Sequence, residues 1–185
     1  MTAYTRAGVS ALLARMDVLE LSCCRFANRS SDLRLVRSSF RVVSRLGDGV
    51  FWYCLMALLP LLYGQTGARV ALQMALTALA GLALYRYLKL RLVRERPHVL
   101  HAGIRAGAPA LDRYSFPSGH TLHAVAFTLL ATEHFPELGW LLVPFAVLVA
   151  LSRVILGLHY PSDVLAGAAI GYALANAGDA LIRAY

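Results

Sequence analysis

From position 50 onward, long apolar runs alternate with short polar interruptions. The runs are Val50–Tyr63, Ala68–Leu88, Thr121–Phe135, Leu138–Leu158 and Val164–Ile182. About 20 helical residues, rising 1.5 Å each, cross a hydrocarbon core, and the second, fourth and fifth runs reach that length. The first reaches it by extending backward through Leu46-Gly47-Asp48-Gly49. The third starts directly after a polar motif and stops before Pro136. The pattern predicts five membrane-crossing helices, with kinks at Pro60 and Pro144 that a bundle tolerates. No repeat of fixed period interrupts it.

Upstream the pattern changes. Val9, Leu12, Leu13, Met16, Leu19 and Cys23 fall at helical spacing, with Arg15, Asp17, Glu20 and Arg25 off the stripe. This predicts an amphipathic helix, lying in the membrane interface or packed on the bundle. Asn28-Arg29-Ser30-Ser31-Asp32 ends it, and Ser31 or Asp32 is expected to cap the next helix. Met1–Arg15 has neither an unbroken apolar core nor a small-residue cleavage site, so no cleaved signal peptide is expected. The fold class is therefore all-α: an integral-membrane helical bundle of about five transmembrane helices plus an N-terminal amphipathic helix. It divides into a basic segment, 1–48, and a transmembrane domain, 49–185.

Composition sharpens this picture. Of 185 residues, 58% are hydrophobic and only 15% charged, against about 25% in ordinary globular chains. That excludes a disordered or fibrous chain and argues against a soluble enzyme. The net charge is +8, from 17 arginines and one lysine against ten acids. A basic chain usually suggests nucleic acid, but here anionic headgroups are the better partner and no nucleic acid is expected. Cys23, Cys24 and Cys54 form no disulfide framework and no CxxC metal pair.

The polar windows Lys89–Gly119 and Arg153–Asp163 are where chemistry is expected, because ionisable groups at a membrane are expensive and usually functional. In the first, Lys89 and Arg96 lie seven positions apart, on one face if helical and about 10 Å apart along the axis. An ammonium and a bidentate guanidinium suit an oxyanion, although a basic helix end reaching for headgroups would also supply Lys89, Arg91, Arg94 and Arg96. Next, Pro117-Ser118-Gly119-His120 precedes an apolar run. Ser118 is a natural N-cap, Gly119 admits a ligand close to the backbone, and the helix N-terminus with His120 faces an anion. The same four residues could also be a plain helix start. Finally, Ser152-Arg153 is followed by His159 and Asp163. A carboxylate four positions beyond an imidazole can fix its tautomer and leave the other nitrogen basic, while Arg153 adds another cation. With spans alternating in direction, all three motifs fall on one membrane face.

Lys89-x6-Arg96-Pro97, Pro117-Ser118-Gly119-His120 and Ser152-Arg153-x5-His159-x3-Asp163 resemble, in order and without substitution, the three motifs of the type 2 phosphatidic acid phosphatase superfamily. That superfamily also includes vanadium haloperoxidases and bacterial acid phosphatases; the pattern here is similar to its membrane lipid phosphatase branch. The resemblance implies an all-α bundle and a set of roles. His159 would attack phosphorus to give a phosphohistidine, Asp163 would orient it, and His120 would protonate the leaving oxygen and later activate water. Lys89, Arg96, Ser118, Gly119 and Arg153 would bind the phosphate. No metal and no other cofactor is implied, since cations and positioning meet the needs of a phosphoryl transition state. Many membrane members have six spans with the first motif ending the third, whereas here it ends the second.

The expected substrate is a membrane lipid carrying a phosphomonoester or diphosphate: phosphatidic acid, phosphatidylglycerol phosphate, a polyprenyl (di)phosphate or a lipid-linked sugar phosphate. Loop 97–117 offers His98, His101, Arg105, Asp112 and Arg113 to a compact headgroup. His98 and His101 are read as solvated, and His123 and His134 as structural. For location, a bacterial plasma (inner) membrane is expected. The N-terminal arginines and the six basic residues from Lys89 to Arg113 share the motif face, against Arg69 and Arg183 opposite. The positive-inside rule therefore favours a cytoplasmic site, although many relatives work on the outer face. The competing readings are a lipid phosphotransferase using the same intermediate, a haloperoxidase, which five spans disfavour, and a non-catalytic membrane anion- or lipid-binding protein.

Overall fold

The computed structural model describes residues 18–110 and 112–183, with side chains through residue 178. It is helical throughout: α1 (18–30), α2 (Arg34–Arg45), α3 (Phe51–Leu92), the single turn α4 (Pro97–Leu100), α5 (Gly119–His134), α6 (Gly139–Ile155) and α7 (Pro161–Arg183). Among the described residues there is no strand, only one isolated bridge between Glu95 and Tyr114. The runs Arg34–Leu92 and Pro136–Ile155 are long and apolar enough to cross a membrane.

The N-terminal helix docks on the bundle through a face other than the apolar stripe. Leu19 and Cys23 of α1 face outward, while Leu21, Cys24 and Asn28 turn inward. Asn28 explains the choice. Its amide donates to the carbonyls of Arg105 (3.0 Å) and Ile155 (2.9 Å), and its oxygen accepts from Arg105 N (2.8 Å). Polar anchors therefore decide which face docks, and a stripe of apolar positions does not report them. Val9, Leu12, Leu13 and Met16 lie outside the described residues. The expected cap is also absent: the N-cap of α2 is Leu33, with no side-chain cap, and Ser31 Oγ turns back to the Asn28 carbonyl (2.7 Å).

α2 continues into α3 through a π-helical turn, Leu46–Val50. α3 then folds back on itself at Gly64 (φ 58°, ψ −133°), a backbone region closed to most L-residues. The two arms, 51–63 and 65–92, correspond to the first two apolar runs. Gly67 packs so tightly beside Leu59 that a Cβ would stand 1.9 Å from its carbonyl oxygen. The reversal thus sits at Gly64, four residues beyond Pro60, and α6 runs as one helix through Pro144.

The core lies where the arms of α3 meet α5 and α6. Trp52, Leu59, Val70, Met74, Phe127, Leu130, Leu142 and Val149 are buried there, and Trp52 packs against the rings of Phe51, Phe127 and Phe145. α7 approaches α5 through Gly167 and Gly171, where a Cβ would lie 2.5 Å from the Ser118 carbonyl and 2.3 Å from that of Leu122. Small residues four apart let two helices approach at backbone distance. The outside is the reverse of a soluble surface: Leu61, Leu72, Leu141, Leu165 and Trp140 are exposed, while Lys89, Arg96, Arg153 and Asp163 are buried. Such an apolar exterior fits lipid.

Candidate active site

The motifs meet at one end of this bundle. α3 ends at Leu92, and Val93 adopts the left-handed conformation (φ 42°). Arg96 then precedes Pro97, a position that disfavours helix. Lys89 and Arg96 therefore do not share one helix face, as their spacing suggested; a turn brings Arg96 back beside Lys89. Asp112 joins them. Its carboxylate accepts Lys89 Nζ at 2.7 and 2.8 Å and Arg96 Nη2 at 2.8 Å, while its carbonyl accepts Arg96 Nε. Burial raises the Asp112 carboxyl, but its bonds and charges from Lys89 and Arg96 outweigh that and hold it below the ordinary range.

His159 follows the Gly157 turn that ends α6. There φ is +69° and a Cβ would meet the Arg105 carbonyl at 2.7 Å, so glycine suits the site. Arg96 is 2% exposed; its Nη1 donates to the Leu158 carbonyl (2.8 Å) and lies 3.2 Å from His159 Nε2. Because a guanidinium only donates, Nε2 is the accepting nitrogen and Nδ1 carries the proton. Nδ1 faces Asp163 Oδ2 at 3.7 Å, beyond hydrogen-bond reach, and has no hydrogen-bond partner among the described residues. The expected His159–Asp163 pair is thus a contact, not a bond. Burial, then Arg153, Arg96 and Lys89, hold the imidazole far below its usual range, so it is neutral at pH 7.

Asp163 is occupied elsewhere. Oδ2 accepts the Tyr160 amide (2.8 Å) and Oδ1 accepts Arg94 Nη1 (2.8 Å). Arg94 lies 4.0 Å over the Tyr160 ring and binds Glu20 of α1 (2.6 Å), whose other oxygen accepts the Ser162 amide (2.7 Å). Beneath them the buried Cys24 thiol is pushed up to about 12, first by burial, and is an inert filler.

Ser118 caps α5, with its hydroxyl on Thr121, and its amide donates to the Asp163 carbonyl (3.0 Å). It is fully buried. His120 lies in the first turn of α5. Arg153 donates to Ser44 of α2.

One cavity of about 610 Å³ is lined by Lys89, Arg96, Gly119, His120, Arg153 and His159, together with Asp48 and Asp112. Ser118 and Asp163 stand behind its wall. Away from the charges, the lining becomes Met56, Ala75, Ala78, Leu79 and Leu82 from the two arms of α3. Cations, an accepting imidazole and a second histidine at one end of an apolar cleft can hold an oxyanion and move its protons.

Four of the neighbouring groups escaped the motif spacing. Asp48 stood alone in an apolar stretch, a signal that was available. Asp112 lies in the loop expected to meet a headgroup, and Arg94 and Glu20 carry no signal because their partners lie 69 and 142 residues away. His98 is structural, bound to Gly157 O at 2.9 Å, and His123 is bound to Gly119 O at 3.0 Å although it also touches the cavity. Among the described residues no group of three or more His, Cys, Asp or Glu side chains is placed to hold a metal ion.

Comparison with known proteins places the chain in a family. The undecaprenyl-diphosphatase BcrC of Bacillus subtilis is 36% identical over 114 residues, 61% of this chain and 58% of BcrC. The undecaprenyl-diphosphatase of Sulfolobus acidocaldarius is 33% identical over 132 residues, 70% of this chain and 62% of that protein. The matches thus span about three-fifths of these relatives. A transmembrane PAP2-type phosphatidylglycerolphosphate phosphatase from Bacillus subtilis superposes with a TM-score of 0.74 at 23% identity, over 91% of this chain and 87% of that one. LpxE of Aquifex aeolicus gives 0.72 at 24%, over 86% and 94%. These two likenesses establish the fold. The family model of the PAP2 superfamily matches residues 67–181, and the chain belongs to that superfamily.

Proposed function

We propose that this protein is an integral-membrane lipid phosphatase that cleaves a phosphomonoester or diphosphate headgroup through a phosphohistidine on His159, without a metal. The observation that carries this reading is the lone pair of His159 Nε2 turned toward a guanidinium inside a cationic cavity that His120 also lines. Phosphate bound by Lys89, Arg96, Arg153 and the Gly119 end of α5 places phosphorus before Nε2. The N–P bond forms as the bond to the lipid oxygen breaks, and a proton from the His120 ring passes to that oxygen. Neutral His120 then takes a proton from water, the water oxygen attacks phosphorus, and inorganic phosphate leaves as Nε2 is freed. Asp163, held by Arg94 and Tyr160 N, faces the Nδ1 side of His159 and favours the positive charge that grows there. Ser118 supports the site by capping α5.

The substrate's tail lies between the arms of α3, where the lining is apolar. The relatives named as undecaprenyl-diphosphatases support a polyprenyl diphosphate among the candidate substrates. Five spans are proposed, with the two arms of α3, α5, α6 and α7 crossing a bacterial plasma membrane and the cavity at one face. The excess of arginines in α1 and α2 favours the cytoplasmic face.

The test is phosphate release from a panel of lipid phosphates in detergent. Wild type is expected to turn over at least one lipid with EDTA present, and His159→Ala to release none. Release by His159→Ala, or loss of activity on chelation, overturns the reading. A phosphorylated acceptor in place of free phosphate would identify a phosphotransferase.

A further inference from the structure

His120 and His159 each stand beside a carboxylate, but the motif spacing accounts for only one of these pairs. The other brings together residues 72 positions apart. Asp48 Oδ1 lies 3.3 Å from His120 Nε2. Asp48 is the only acidic residue between Asp32 and Glu95, at the edge of an apolar run where a carboxylate is costly. It sits in the π-helical turn joining α2 to α3, and that turn is held firmly. Gly47 packs on Val149 of α6, where a Cβ would come within 2.6 Å of a methyl, and Gly49 has φ 130°. The result is a carboxylate aimed into the cavity.

We infer that Asp48 is the positioning residue for His120: it holds the ring through Nε2 and steadies the protonated form that gives its proton to the leaving oxygen. This rests on the reading of His120 as that acid. The charged and titratable groups acting on His120 are Arg153 from α6, His159 from the turn before α7, Lys89 from α3 and His123 from α5 itself. All are basic, and each disfavours a proton on His120. Asp48 supplies the opposing charge, and its carboxylate takes up no atom in the reaction. The arrangement gives each histidine a carboxylate suited to its task. Asp163 stabilises the charge that forms on the nucleophile, and Asp48 the charge that must be present on the acid beforehand.

Leaving-group chemistry tests this, because an alkoxide needs a proton to depart and a nitrophenolate does not. The full chain in detergent would be given an alkyl phosphate and 4-nitrophenyl phosphate. Asp48→Asn is expected to lower kcat on the alkyl ester about 10- to 100-fold with KM within about twofold, and kcat on the aryl ester by less than about threefold. Compared as kcat/KM, which reports only the step that forms the phosphoenzyme, His120→Ala should show the same split, enlarged, and Asp48→Glu should recover part of the alkyl rate. Equal losses on both esters, no loss on either, or a change in KM alone with Asp48→Asn overturns the inference. If His120→Ala instead lowers kcat/KM on both esters equally, the acid assignment itself fails. Should Asp48→Asn not fold, Asp48→Glu decides: its aryl rate is expected unchanged and its alkyl rate lowered, and an unchanged alkyl rate overturns the inference.

Discussion

The two sides of the cavity are built differently. On the His159 side, the charged neighbours Arg96 and Asp163 are each tied to other parts of the chain. Arg96 is fixed by Asp112 and Leu158 O, and Asp163 by Arg94, which Glu20 of α1 holds in turn. On the His120 side, one contact to Asp48 and the packing of a glycine-flanked turn on α6 suffice. A nucleophile must sit at a set distance from phosphorus, and tolerances of tenths of an ångström need a rigid cage. An acid meets a leaving group that moves as the bond breaks, and a looser mount serves it.

The largest expected effect is on the caged side. His159→Ala should lower kcat by at least about 10³-fold, since the proposed covalent route runs through this ring; measurable burst labelling by ³²P-substrate in wild type and its loss in the variant would check this. Removing the cage while leaving the nucleophile should come next. Arg94→Ala is expected to lower kcat about 10- to 100-fold with KM little changed, as outer partners of a reactive group typically do. If Arg94→Ala were as active as wild type, the contrast between the two sides would disappear.

Protonation sharpens the comparison. His159 is held low by burial first and then by its cationic neighbours. Protonating Nε2 removes the lone pair, so rate falls as pH falls, and the depressed proton affinity moves that fall to lower pH. The acid limb of kcat/KM should therefore lie below about pH 6.5, the ordinary histidine value, once the ester's own ionisation is subtracted. The same depression makes stability decline as pH drops below the ordinary histidine range, because the unfolded chain takes up the proton first; thermal unfolding between pH 7 and pH 5 would record it. The smallest effect should come from packing behind the site. Gly171→Ala forces a methyl against the Leu122 carbonyl and should destabilise by about 1–3 kcal/mol, read as a lower Tm in detergent, with activity at low temperature largely retained.

Much of this was legible in one dimension. Helical periods placed the apolar runs, and the bend at Gly64 separates two of them where the polarity already changed. Lys89, Arg96, His120, Arg153 and His159 reached one cavity as their motifs implied. The Leu19–Cys23 stripe does not name the docking face of α1, because Glu20 and Asn28, polar residues with partners in the motif loops, decide how it docks. Arg94 looked like one more basic residue at a helix end until Asp163 was found against it.

The sequence by itself determined which residue types were available for phosphate chemistry and that the chain would be a bundle of apolar helices, because both follow from composition and short-range spacing. Only the tertiary structure decided who partners whom: Asp48 with His120, Arg94 and Glu20 with Asp163, Asp112 with Lys89 and Arg96. Charge attraction in a buried site depends on distances of a few ångströms between helices, and those distances are set by where glycines let backbones approach and reverse, not by separation along the chain.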